Sequence, residues 1–344
     1  MVGSVSETIA RSLQDAEDLA SHGELRAAID LLTRANRVAH HGELECALAK
    51  LRRRGGAAVS RQAPVERSAT DARPPGGDLF EIEPAELTLA ALKAGYAQCG
   101  CVLVRGLVSP ERVALLVEGI DAAMAAYDAA TDDGSTVDRA WYDPGPMPDR
   151  VSPGLPEAVH RKALRGRGGM WTVDSPRMLF ELFELVDDVG IGSLMTELFG
   201  ERPLLSALKG TLRRVRPDID VSGRWHQDGA FLGNGVGAFN VWLALTACGR
   251  DAPGLDIVLQ RFERVLRDGD AQFDWSLSDD TVLEAAAGAS IVRPSFEAGD
   301  ALLFDHLLLH RTATSPKMTH VRHAIESWFF APSAYPAGQL PILY

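Results

Sequence analysis

Phe239-Asn240-Val241-Trp242-Leu243-Ala244-Leu245-Thr246 reads as a single β-strand. Successive side chains of an extended chain point to opposite sides, so Phe239, Val241, Leu243 and Leu245 share one face, and Asn240, Trp242, Ala244 and Thr246 share the other. The first face is wholly apolar and calls for a packing layer. The second, with its amide and indole, suits the wall of a cavity.

Downstream of it come further short strand candidates, Ser290 to Arg293, Ala301 to Phe304 and Val321 to Phe330. They are separated by turn signals at Ala252-Pro253-Gly254, Gly299-Asp300 and Ser315-Pro316. Upstream, Leu89 to Ala97 has helical spacing and Gly100 to Leu107 reads as a short buried strand closed by glycine. Pro110 then starts a long amphipathic helix through about Ala129, and Met178 to Phe199 is a second helical stretch. The expected fold class is mainly β with flanking helices, an antiparallel barrel or double-sheet arrangement. Residues 132–172 carry many Gly and Pro together with Trp141, Tyr142, His160, Arg161, Arg165, Arg167 and Trp171. That is long for an inert connection, and it reads either as a lid or substrate loop or as a disordered stretch. The three arginines read either as a site for an anionic group or as a solvated basic face.

The chain opens differently. Residues 6–53 read as short helices, with Leu25, Ala28, Ile29 and Leu32 forming one buried stripe at helical period. HGEL occurs twice, at 22–25 and 41–44, where the glycine would end one helix and the acid favour the start of the next. Two copies are too few for a solenoid. The expectation for 1–54 is a helical N-terminal module, either a small helical appendage or a TPR-like dock for a protein partner or carrier protein. Residues 55–78 lose periodicity and gain Gly, Pro, Ser and Arg, as a flexible linker does, which leaves 79–344 as the main domain.

With 344 residues and 46% hydrophobic content, the chain can bury a sizeable core. A net charge of −12 opposes broad binding to nucleic acid, which needs a dominant basic surface, so a small-molecule partner is expected. The N-terminus has no basic stretch followed by an apolar core, and no segment reaches the length of a membrane span. Both point to a cytoplasmic protein without a membrane partner. Cys46, Cys99, Cys101 and Cys248 are too few and too scattered for a disulfide scaffold and read as core thiols.

The chemistry lies in Arg224-Trp225-His226-Gln227-Asp228-Gly229-Ala230-Phe231. If the segment is extended, His226 and Asp228 point the same way and offer a nitrogen and an oxygen to one ion. A third ligand is available in His310, at the end of the apolar strand in Gly299-Asp300-Ala301-Leu302-Leu303-Phe304-Asp305-His306-Leu307-Leu308-Leu309-His310. His306 is its competitor. Two imidazoles and a carboxylate on one face leave open positions at a non-haem Fe(II), and the same set can hold Zn²⁺ for hydrolysis.

From about Gly95 to Phe330 the chain resembles the phytanoyl-CoA dioxygenase-like Fe(II)/2-oxoglutarate oxygenases. The resemblance rests on GCVLVRGLVSPE (100–111), WHQDGA (225–230), NVWLALTACGRDAPGLDIV (240–258) and GDALLFDHLLLHRT (299–312) with a later arginine, in that order. It implies a double-stranded β-helix, the cupin-like jelly roll, with His226, Asp228 and His310 as ligands of Fe(II). It also implies 2-oxoglutarate as cosubstrate with O2, hydroxylation of an unactivated C–H bond, and release of succinate and CO2. By the same resemblance Thr312 supplies a hydroxyl and Arg322 the guanidinium for the distal carboxylate of 2-oxoglutarate, and Lys209 lies near its keto-acid end. The family spacing would place the arginine at 321, which is Val321 here, so Arg322 requires one inserted residue in the preceding turn; Arg311 is the alternative. Related halogenases replace the carboxylate ligand by a small residue, and Asp228 therefore favours hydroxylation. The long loop, the acidity and the N-terminal module resemble a tailoring enzyme of secondary metabolism more than an acyl-CoA hydroxylase. A zinc hydrolase on the same ligands and a non-catalytic binding barrel are the competing readings.

Overall fold

In the structure, a computed structural model, residues 5–57, 77–132, 134–145, 157–218, 223–233, 235–269, 275–336 and 338–344 are described. The chain begins with α1 (Val5–Ser21), α2 (Leu25–Val38) and α3 (Gly42–Ala57), and the stripe of Ala28, Ile29 and Leu32 is buried. At the first HGEL copy Gly23 takes the left-handed φ of +85° that ends α1. The second copy works differently: Gly42 lies inside α3, and a Cβ there would stand 3.1 Å from that of Ala140. Close packing, not a helix stop, accounts for this glycine.

The same correction applies to Gly55-Gly56, where the linker was expected to begin. They form the last turn of α3. Cβ atoms added to them would lie 2.0 Å from Leu343 Cδ1 and 1.9 Å from the Pro341 carbonyl oxygen. Glycine serves here to let the helix lie against the last strand. The bulk of the expected linker, 58–76, falls outside the described residues.

Next come β1 (Glu81–Ile82), α4 (Leu89–Cys99), β2 (Cys101–Val104) and α5 (Pro110–Asp132). Thr88 caps α4 by accepting the Ala91 N–H at 3.2 Å, and Gly100, at φ +82°, turns the chain straight into β2. After α6 (Glu157–Gly166) and β3 (Gly169–Trp171), the helical stretch expected over 178–199 divides into α7 (Pro176–Asp188) and α8 (Ile191–Phe199). Gly190, at φ +74°, makes the break.

The remaining elements are β4 (Leu204–Ser206), β5 (Thr211–Val215), α9 (Gly229–Leu232), β6 (Ala238–Ala244), β7 (Gly254–Val258), α10 (Asp279–Ala286), β8 (Ile291–Val292), β9 (Ala301–Asp305), β10 (His310–Ala313), β11 (Arg322–Phe330) and β12 (Pro341–Leu343). The larger sheet runs β1-β2-β9-β6-β11-β4-β12, with β5 also pairing β11 and carrying β3 on its other edge. Only β1 and β2 are parallel in it. The smaller antiparallel sheet is β10-β7-β8.

The two faces of β6 define the layers. Phe239, Val241, Leu243 and Leu245 pack outward with Leu116, Ile120, Leu182 and Phe183 of the helices. Trp242 and Ala244 face the space between the sheets, where they meet Leu255 and Ile257 of β7, Phe304 of β9 and Trp328 of β11. This is a double-stranded β-helix covered by helices on the large sheet. A third cluster joins α1–α3 to it through Leu44, Leu48, Leu51, Phe180, Leu204 and Leu343.

The expected lid is, in its described parts, a docked element. Arg165 of α6 holds Asp128 of α5 at 2.8 and 2.6 Å, and buried Arg161 holds Asp174 at 2.8 and 3.1 Å. These charges are matched inside the protein, which removes Arg161 and Arg165 as receptors for an anionic substrate; Arg167 is exposed. Residues 146–156 of this stretch lie outside the described residues. Among the described residues no helix is long and apolar enough to cross a membrane.

Candidate metal centre

His226 and His310 form an isolated antiparallel bridge. Each backbone N–H donates to the other's carbonyl, at 3.0 and 3.1 Å, and the rings stand 4.5 Å apart. The extended segment stops at His226. Asp228 has turned into the helical region at φ −61°, ψ −21° as the residue preceding α9, so a turn, rather than strand alternation, aims its carboxylate at the imidazoles. Ligand atoms of His226, Asp228 and His310 all lie within 4.8 Å of one another.

The two rings are held in the tautomer a metal needs. A carbonyl only accepts, so His226 Nδ1 donates to the Arg224 carbonyl at 2.8 Å and His310 Nδ1 to that of Leu308 at 3.0 Å. The lone pairs are left on Nε2. Burial, followed by repulsion from His310, pushes the His226 pKa down to about 4, so the ring is neutral near pH 7. Burial alone would raise the Asp228 carboxyl. Lys209 and the two imidazoles outweigh it and hold the group well below the usual carboxylate range.

Arg322 opens β11 on the face turned between the sheets and is only 3% exposed. Its Nη1 donates to the Pro253 and Gly254 carbonyls at 3.3 and 3.2 Å, its guanidinium lies 5.6 Å from the Trp242 ring, and its Nε has no hydrogen-bond partner. A buried guanidinium with a free donor and no ion-pair partner among the described residues suits an anion. Thr312 lies two residues past His310 on the same inward face of β10.

Arg311 points the other way. It is bound to Asp256 at 2.9 Å and Asp279 at 3.1 Å, over the Trp225 ring at 4.5 Å, on the outer face of the small sheet. Lys209, in the turn between β4 and β5, places Nζ 2.8 Å from Asp228 Oδ1 and 4.7 Å from the centre of the Phe231 ring. Gln227 faces away from the triad and knits its surroundings: its amide donates to the carbonyls of Leu307 and Arg264 and accepts the Leu266 N–H at 2.7 Å. His306 contributes its carbonyl to the Gly229 N–H at 2.7 Å and stands outside the triad. His320 is exposed, and His323 turns outward to Asp121 of α5 at 3.1 Å.

Two features of the site went unread in the sequence. Arg213 of β5 and Glu326 of β11 form a two-point ion pair, 3.0 and 3.2 Å, on the face turned between the sheets, each side chain still about a fifth exposed at 22% and 23%. The period of two from Arg322 would have found Glu326. Phe231 and Trp275 make an aromatic rim beside His226, their ring centres 5.4 Å apart and 6.1 and 5.9 Å from the imidazole. No periodic signal announces that contact, which joins α9 to a turn distant in sequence.

No family model and no curated protein sequence matches the chain. Solved structures do. EctD from S. alaskensis with 2-oxoglutarate and 5-hydroxyectoine is 16% identical, over 80% of this chain and 89% of that one, with a TM-score of 0.51. Its apoform gives 17%, 77%, 85% and 0.50. The epimerase SnoN in complex with Fe3+, alpha ketoglutarate and nogalamycin RO is 14% identical over 73% of this chain and 86% of its own, at a TM-score of 0.43. At these identities the likeness to EctD is one of fold, and it agrees with the β-helix described above.

Proposed function

We propose that the protein is a non-haem Fe(II)/2-oxoglutarate-dependent oxygenase of the phytanoyl-CoA dioxygenase-like kind that hydroxylates an unactivated C–H bond of a small metabolite. The observation that carries this reading is the pairing of two features inside one β-helix. The first is a His-Asp-His triad with both Nε2 lone pairs free, and the second is a buried arginine with an unfilled donor. A zinc hydrolase would need the first and has no use for the second. The EctD neighbour, solved with 2-oxoglutarate, supports the same reading.

His226, Asp228 and His310 would hold the iron, which with 2-oxoglutarate and O2 supplies the oxidising power, the cosubstrate leaving as succinate and CO2. The chain's own residues bind and orient. Arg322 would take the distal carboxylate of the cosubstrate on its free Nε, and Thr312 would add a hydroxyl. Phe231 and Trp275 would border the substrate's entry, and the net charge of −12 fits a small molecule rather than a nucleic acid.

Anaerobic titration of the Fe(II)-loaded protein with 2-oxoglutarate tests the reading. A weak visible charge-transfer band is expected in the wild type and not in His310→Ala, whose fold should persist because His310 serves the metal rather than the core. No band in an iron-loaded wild type would shift the reading to zinc or to a binding barrel.

A further inference from the structure

We propose that Lys209 is a positioning residue that keeps Asp228 a one-oxygen metal ligand, and thereby keeps vacant the coordination position that cosubstrate and dioxygen together require. The inference rests on the metal reading above. The two Asp228 oxygens have separate tasks in the structure. Oδ1 accepts from Lys209 Nζ at 2.8 Å, while Oδ2 faces His310 Nε2 at 3.7 Å. Oδ2 is the oxygen paired with the His310 imidazole.

The ammonium is well placed to enforce this. It is the cation over Phe231, which follows Asp228 on α9, and Asp228 is its only ion-pair partner among the described residues. The Lys209 side chain is 21% exposed and that of Asp228 11%, so water competes with the pair far less than at an open surface. The turn bearing Lys209 is itself closed by backbone N–H groups of Lys209 and Gly210 donating to the Ser206 carbonyl at 3.3 and 3.1 Å.

Coordination arithmetic supplies the purpose. An octahedral ion that takes two imidazoles and one carboxylate oxygen has three positions left, two for a chelating keto acid and one for dioxygen. A carboxylate is equally able to bind through both oxygens, and that would leave one position too few. Holding Oδ1 on an ammonium prevents it.

The test uses the full chain as wild type, Lys209→Met and Lys209→Arg. Co(II), a coloured stand-in for Fe(II), is titrated in without cosubstrate, and 2-oxoglutarate is then titrated anaerobically into the Fe(II) forms. Lys209→Met is expected to bind Co(II) with altered visible d–d bands and to bind 2-oxoglutarate about tenfold more weakly. Lys209→Arg, which keeps a cationic donor, should restore both. Circular dichroism checks folding, and Lys209→Ala replaces the methionine variant if that one does not fold. Wild-type Co(II) bands in the uncharged variant would overturn the proposal. If 2-oxoglutarate affinity fell all the same, Lys209 would be touching the cosubstrate directly. A wild type that takes up no Co(II) would overturn the metal reading and this inference together, a failure distinguishable because it appears before any substitution.

Discussion

Arg322 is buried as deeply as a core residue, and among the described residues its guanidinium meets two carbonyls and a ring but forms no ion pair. Such a group is costly unless an anion completes it. Arg322→Ala is therefore expected to weaken 2-oxoglutarate binding by about 2–5 kcal/mol, as truncating one side of a buried charge pair does. Arg322→Lys should recover only part, since the planar fork is lost. Isothermal titration of the metal-loaded protein measures both; an unchanged affinity would send the carboxylate elsewhere in the barrel. His226 gives a pH signature to the metal-free protein. Its pKa falls from the usual 6.5 to about 4 on folding, so between those values the unfolded state binds more protons. That part of the stability is present above pH 6.5 and is lost as pH falls through 4. Urea melts across this window should show the loss reduced in His226→Gln. Equal slopes would mean that His226 is not the group responsible.

Among the elements, β10 and β11 show how alternation distributes roles. His310 and Thr312 face inward on β10 while Arg311 between them joins Asp256 and Asp279 outside. On β11, Arg322 and Glu326 face inward while His323 reaches α5. Parity excludes Arg311 from the chamber. The helix α3 teaches the opposite lesson. Gly55-Gly56 reads as a linker by composition, yet its glycines are small because β12 lies against them. Gly56→Ala is expected to cost about 1–3 kcal/mol, because the added methyl must displace the Pro341 backbone rather than a pliant side chain. A thermal melt unchanged from wild type would show that α3 and β12 separate more readily than their packing suggests.

At the scale of the molecule, α1–α3 complete a core shared with α7, β4 and β12. Leu44, Leu48 and Leu51 are all buried, each worth about 1.5–3 kcal/mol relative to exposure. Buried Glu45 reaches across to Arg177 of α7 at 2.5 Å. Deleting residues 1–57 should therefore lower the melting temperature sharply or yield aggregated protein, by exposing Phe180, Leu204 and Leu343. A truncated protein that melts like the full chain would establish the helices as an independent module.

The sequence by itself determined the parity of β6 and offered His226, Asp228 and His310 as chemically matched candidate ligands, while Thr312 and Arg322 followed only from the family resemblance. The first depends on a period of two in strands, the second on residue chemistry that admits few uses; the extended spacing expected of His226 and Asp228 gave way to a turn. Only the tertiary structure decided that Arg161 and Arg165 are matched by Asp174 and Asp128, that Gly55 and Gly56 pack rather than flex, that Lys209 grips Asp228, and that Arg213 meets Glu326. Each of those is a contact between segments distant along the chain. A charge or a glycine looks the same in sequence whether it faces water or a partner, and only packing brings the partner to it.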